Sequence, residues 1–355
     1  MMNADNKWRR FLRIVFYTWV TLSSVILIMI AIIDPHDNLI ISPDIIRAPI
    51  DTNQRFSYVT IARNPVFDSA VFGTSTSRLI KPSILNNLLG GNFANLSMNS
   101  ATAYEQFRLY DLFIRHHPNA RTIIIGIDNV WCAPKDEYQR FTFRKFPEWL
   151  YDENPWNDLL YIFNDEMLEQ AIRQLEFKIG TRKPKYGFDG YENFLLPANE
   201  YDIQRARENI YGQPYPVNRK HEVNTVPIPA LERSNWIFAT HVLLDNILSS
   251  APETATKILV FVPYHIYLQP PPGSRAAYVM DECKHRIVTL ARKATNTHVL
   301  DFMIPSRFTR EDSNYWDALH YTVDIAEQFA KSIANGVSSQ RGVDDMFHYL
   351  GGSFF

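Results

Sequence analysis

Cysteine is nearly missing from this chain: Cys132 and Cys283 are the only two in 355 residues. That excludes a disulfide-scaffolded fold and a multi-cysteine zinc site. Whether the two thiols meet as one bridge in an oxidising compartment stays open at this level. A surplus of positive charge is missing too. With 36 Lys and Arg against 38 Asp and Glu, the formal net charge is −2. No basic stripe is available to neutralise phosphates, and no nucleic-acid partner is expected. Neither G-x-x-x-x-G-K nor G-x-G-x-x-G occurs, so the usual phosphate cradles are absent and no cofactor is expected. His116 and His117 are neighbours that a helix points apart, which argues against a metal site there. No repeat or low-complexity tract is present.

What the chain does have is one long apolar run and many aromatic rings. Ile14 to Ile33 ("IVFYTWVTLSSVILIMIAII") carries no charge and matches the roughly 20 residues a helix needs to cross hydrocarbon. Lys7, Arg9, Arg10 and Arg13 precede it, and Asp34 and Asp37 follow. The positive-inside rule then leaves the first residues in the cytoplasm and sends the rest across. A cleavable signal would end in a small-x-small site, which "IAIIDP" does not supply. The expectation is a single-pass anchor in a cytoplasmic (inner) membrane. Its parts are a cytoplasmic segment 1–13, a span 14–33, a linker 34–55, a domain 56–336 facing the periplasm or exterior, and a tail 337–355.

Within that domain, short apolar runs alternate with helical patterns. Strands are expected to end at Phe72, to cover Phe93–Leu96, and to form in "RTIIIGIDN", "KILVFVPYH" and "THVLDFM". The third of these is apolar on both faces, as in a strand covered on each side. Helices are expected from Pro82, with Gly90 as a stop, and from a capping box at Thr102 and Glu105 to about His117. Two more are expected, over about 275–293 and from Val323 to a stop at Gly336. This order points to an α/β fold: a three-layer sandwich around a central, mostly parallel, five-stranded sheet. Residues 133–227 interrupt it as an aromatic-rich insertion, too long for a simple loop and expected to cap the sheet. Among its rings, Trp149, Tyr151 and Trp156 are candidates for stacking on sugar faces.

Ligands of open parallel sheets bind beyond the carboxyl ends of the strands. Those positions hold Gly73-Thr74-Ser75-Thr76-Ser77-Arg78, Ser97-Met98-Asn99-Ser100, Gly126-Ile127-Asp128-Asn129, and "NYWDALHYT" with Asp317 and His320. A serine hydroxyl becomes a nucleophile when a base takes its proton, and an imidazole needs its second nitrogen held by an acceptor. Asp317 and His320 are three apart, so one turn presents both on one side. Ser75 is therefore the candidate nucleophile, His320 the base and Asp317 its partner. Ser77 is expected to hold the turn. Arg78 is expected to cap a helix or pair with Asp68, with contact to an anionic substrate as the lesser alternative. His265 is expected to be structural.

These blocks resemble the SGNH, or GDSL, hydrolase family. Gly73-Thr74-Ser75 matches its Gly-Asp-Ser block, and Asp317-Ala318-Leu319-His320 matches its Asp-x-x-His block. The resemblance implies a flavodoxin-like sheet and an acyl ester substrate, with Ser75, His320 and Asp317 catalytic. It also implies Ser100 in the place of a glycine whose N–H lines the oxyanion hole. In the third block the family has Gly-x-Asn-Asp, whereas this chain has Asp128 followed by Asn129. Either Asn129 substitutes through a shifted turn, Asp128 is protonated, or backbone groups make the hole. The resemblance implies an esterase or O-acyltransferase acting on acylated carbohydrate of a cell-surface or exported polysaccharide, working with polysaccharide-biosynthesis partners. The alternative is a non-catalytic polysaccharide-binding or assembly protein on the same fold.

Overall fold

The computed structural model describes residues 4–39, 42, 43, 45–158, 161, 164–212, 227–343 and 345–353. The end of the expected insertion, 213–226, and the last two residues of the expected tail lie outside them. In chain order the helices are α1 (Ala4–Ile33), α2 (Gln54–Arg63), α3 (Pro82–Leu89), α4 (Ala103–His116), α5 (Pro155–Asp158) and α6 (Asp165–Lys178). They continue with α7 (Ile203–Tyr211), α8 (Ala230–Ser234), α9 (His241–Ser250), α10 (Arg275–Ala291), α11 (Arg307–Arg310) and α12 (Val323–Ser339). The strands are β1 (Ser69–Phe72), β2 (Phe93–Asn95), β3 (Thr122–Ile127), β4 (Thr256–Phe261), β5 (Thr297–Asp301) and β6 (His348–Ser353).

The fold is α/β, with one mixed six-stranded sheet in the order β2-β1-β3-β4-β5-β6. The first five strands are parallel, and β6 runs antiparallel to β5. Every β3 residue is buried, as its unbroken "TIIIGI" run requires of a strand covered on both faces. The strand order reverses at β1, so right-handed crossovers send α3 to one face and α4, α9 and α10, of the β2–β3, β3–β4 and β4–β5 connections, to the other. The packing agrees: α3 meets α12, while α4 meets α9 and α9 meets α10. Local signals act as their chemistry dictates. Pro82 opens α3, and Gly90 closes it at φ 73°. Thr102 accepts from the Glu105 N–H while the Glu105 carboxylate accepts from the Thr102 N–H, so the expected capping box caps α4.

Two expectations need correction. The sheet has a sixth strand, drawn from the expected tail. "HYLGGS" carries no apolar alternation to announce it, because β6 pairs through its main chain along the open edge of β5. Gly336 does not end α12, which continues to Ser339 and stops at Gln340 in the left-handed region. A Cβ at Gly336 would come 2.8 Å from both Leu300 and Phe347, so this glycine serves close packing inside the last turn of the helix.

The chain divides into two compact units, Met1–Thr60 with Pro147–Lys185, and Ile61–Phe146 with Tyr186–Phe355. The insertion read as one cap is thus split between them. In the first unit α1 is the one helix among the described residues long and apolar enough to cross a membrane. Residues 34–55, expected as a linker, are held there. The Arg47 guanidinium donates to the carbonyls of Ile33 and Asp34, and Ala48 exchanges hydrogen bonds with Gln174 of α6. Tyr151, fully buried, donates to the Arg55 carbonyl and so offers no ring to a sugar.

In the second unit Cys132, in the turn after β3, is bonded to Cys283 of α10. The bridge closes a separation of 151 residues. Loss of such a link typically costs about 2–5 kcal/mol. The Cys132→Ser/Cys283→Ser double variant is expected to unfold at lower denaturant by that amount. An unchanged midpoint, or two titratable thiols in the unreduced parent, would count against the bridge.

Candidate active site

The candidate nucleophile lies just past the carboxyl end of β1, where Gly73 and Thr74 lead into a tight turn over Ser75–Ser77. The turn needs two glycines. A Cβ on Gly73 would come 2.5 Å from Ser77 Oγ, and one on Gly126 of β3 would come closer still. Ser77 is fully buried and fills the space those glycines leave. It wedges the turn, as the sequence suggested. Asn95, at the end of β2 and fully buried, donates its side-chain amide to the carbonyls of Ser77, Arg78 and Ile80 at 2.9, 3.2 and 2.8 Å. The Tyr321 hydroxyl donates to the Thr76 carbonyl.

Asp317 and His320 sit between β5 and α12, and the fold brings them to Ser75 across 245 residues of sequence. His320 Nε2 lies 2.9 Å from Ser75 Oγ, and His320 Nδ1 lies 2.8 Å from Asp317 Oδ2. The other carboxylate oxygen, Asp317 Oδ1, accepts from the backbone N–H groups of Leu319 and His320 at 2.8 and 2.9 Å. Burial alone would raise the Asp317 carboxyl. The hydrogen bond and charge of His320, with those two backbone donors, outweigh it and hold the group below its usual range. An ionised Asp317 therefore faces the ring. The loop is tied down on several sides: His265 N–H donates to the Ala318 carbonyl, Tyr201 to that of Tyr315, and Asn209 to that of Trp316. His265 is buried and serves this bracing, as expected.

The remaining expected residues separate. Arg78 does not pair with Asp68, which instead accepts from Ser69 and the Asn92 N–H. Its guanidinium is buried, donates to Asn99 at 2.6 Å, forms an ion pair with Glu192, and lies over the Phe194 ring at 4.5 Å. With its charge answered by Glu192, Arg78 braces the site and is not open to an anionic substrate. The Phe194 ring in turn sets its edge against His320 at 5.4 Å. Glu192, Phe194 and Asn95 went unrecognised in the sequence. Asn95 left one signal, a polar side chain ending an otherwise apolar strand.

Ser100 adopts φ 52°, the left-handed conformation that glycine takes freely. It lines a cleft of about 300 Å³ with Asn129, Thr102, Lys135, Tyr138 and Thr142. Ser75 and His320 are not in its walls. Asp128 turns the other way. It is buried, and its two oxygens accept from the Thr74 hydroxyl and the Val130 N–H. Of the two third-block residues, Asn129 is the one on the cleft. Among the described residues no group of three or more His, Cys, Asp or Glu could hold a metal ion.

No protein-family model matches the chain, and a search of curated proteins finds no significantly similar sequence.

Burial pushes the Asp128 carboxyl up to about 6, against the hydrogen bonds from Thr74 and Val130 that lower it. Folding thus favours its acid form. The stability this contributes is complete below the ordinary carboxyl value and is lost as pH rises through about 6. Asp128→Asn is expected to escape that loss, gaining about 2 kcal/mol on the parent between about pH 4 and pH 7. Urea titrations at the two pH values measure it; a gap independent of pH would refute it.

Proposed function

We propose that this chain is a membrane-anchored serine esterase or O-acyltransferase of SGNH type, acting through a seryl ester. The observation that carries the reading is the Ser75–His320–Asp317 relay, with both contacts within hydrogen-bond distance. The strand order β2-β1-β3-β4-β5 supports it, being the flavodoxin-like order whose ligand site lies at the strand carboxyl ends.

In the proposed reaction His320 Nε2 takes the Ser75 proton as Oγ attacks the ester carbonyl carbon. Asp317 stabilises the imidazolium. The tetrahedral oxyanion is met by backbone N–H groups at the strand ends, that of Ser100 among them, and by the Asn129 amide. The intermediate then expels the alcohol, which leaves with the proton from His320. Water or a sugar hydroxyl next attacks the acyl-Ser75 carbonyl, giving its proton to His320; the Ser75–acyl bond then breaks, Oγ takes that proton back, and the acid or the new ester leaves. Which acceptor dominates depends on how well the site excludes water.

An acetylated cell-surface or exported polysaccharide is the substrate class we favour. That class follows from the resemblance of the Gly73–Ser75 and Asp317–His320 blocks to the SGNH family. Proteins of polysaccharide biosynthesis are its natural partners. Four basic residues in the first turns of α1, ahead of its uncharged run, favour a cytoplasmic N-terminus. The Cys132–Cys283 bridge favours the oxidising side for the second unit, periplasmic or extracellular. One observation favours a second reading, a non-catalytic polysaccharide-binding or assembly protein: the family's oxyanion asparagine is replaced by Asp128, turned into the protein.

Hydrolysis of a chromogenic acetate ester by the full chain in detergent separates the two. Ser75→Ala and Asp317→Asn are each expected to lower kcat/KM by about 10³-fold or more. A fluorophosphonate probe is expected to add its mass to the peptide containing Ser75, with fluoride leaving. Equal rates in parent and Ser75→Ala, with no adduct, would refute the enzyme reading.

A further inference from the structure

We propose that α6 is an interfacial membrane helix, lying beside α1 with an apolar stripe of Leu168, Ile172, Leu175 and Ile179 set against lipid. The proposal rests on α1 spanning the bilayer. Depth follows from where the two helices meet. Ile30 and Ile33, in the last turn of α1, are 2% and 5% exposed and close around Met167 and Ala171 of α6, with Met29 and Leu168 alongside. Met29 to Ile33 are the end of the uncharged run, the last ~6 Å at 1.5 Å per residue. A helix packed on that turn sits at the edge of the hydrocarbon itself.

The rotation of α6 is set by polar clamps. Gln174 exchanges two hydrogen bonds with the Ala48 backbone, at 3.0 and 2.8 Å, and Gln170 donates to Asp51 at 2.9 Å. With that face turned inward, the 3.6-residue period divides the rest into two sectors. Ile172, Leu175 and Ile179 form one, flanking the buried face, at 45%, 37% and 73% exposure. Asp165, Glu169, Arg173 and Glu176 form the other, with Glu169 paired to Arg173 and Glu176 to Arg182. A row of exposed branched aliphatics in helical register, next to a membrane helix, is the arrangement of an amphipathic helix at the headgroup–acyl boundary. Aromatics accompany it. Trp149 packs against the Ile30–Ile33 cluster and stacks on Tyr161 at 5.1 Å, and Trp156 is 73% exposed. Trp and Tyr are enriched at that level of a bilayer. The occupant of the stripe is the lipid surface.

The chain has no free cysteine, so one introduced thiol is a unique label. The full chain is reconstituted in phosphatidylcholine–phosphatidylglycerol vesicles. Nitroxides are placed singly through Leu22→Cys, Glu169→Cys, Ile172→Cys and Ile179→Cys, and collision with oxygen is compared with collision with a water-soluble nickel chelate. Leu22→Cys is expected to read the hydrocarbon interior. Ile172→Cys and Ile179→Cys are expected about 5–10 Å inside the boundary, with an oxygen-to-nickel ratio several-fold above that of Glu169→Cys. Aqueous readings at 172 and 179 with Leu22→Cys deep would overturn the proposal and leave the anchor standing. An aqueous reading at Leu22→Cys would overturn the anchor, and the proposal with it.

Discussion

The contact between His320 Nε2 and Ser75 Oγ joins two loops that are 245 residues apart, and it is too weak to hold them by itself. One hydrogen bond contributes about 1 kcal/mol net, whereas ordering each loop residue costs about 1–2 kcal/mol. The geometry therefore depends on what surrounds the contact. Asn95 gathers three carbonyls of the nucleophile turn, and the glycines of β1 and β3 make room for Ser77. Tyr321 makes a second bond between the same two segments as the relay, and His265 and Tyr201 brace the His320 loop from further elements. The relay's geometry is set by its surroundings, and that preorganisation is what the proposed acyl transfer draws on.

Much of this was legible in the sequence because the signals were local. β-branched runs marked the strands, Pro82 and the Thr102–Glu105 box marked helix starts, and the three-residue spacing of Asp317 and His320 put carboxylate and ring on one turn. The parts that escaped depend on tertiary contact. Nothing adjacent to Glu192 or Phe194 announces that Arg78 will take one as counter-ion and the other as a stacking face. β6 carries no hydrophobic alternation; it joins the edge of β5 through main-chain pairing, with one side-chain hydrogen bond between Tyr349 and His298 beside it. Gly336 has the composition of a stop signal, yet Leu300 and Phe347 press on it so closely that only glycine fits within the helix.

The aromatic excess of residues 133–227 resolves along the same line. As composition, Trp149, Tyr151 and Trp156 look alike. In the structure one packs on the end of α1, one is buried on the Arg55 carbonyl, and one is exposed. The segment 147–185 belongs with the apolar helix because Ile30 and Ile33 need partners that α1 cannot supply. A single insertion thus serves two compact units, and its second part brings Glu192 and Phe194 to the relay.

The long separation of Ser75 from His320 also governs timing. Ribosomes add about 5–20 residues per second, so a growing polypeptide carries Ser75 for tens of seconds before His320 has been made. During that interval the alcohol is an ordinary serine with nothing to take its proton. The contact between Ser75 and His320 therefore forms only when the second half of the sheet closes on the first.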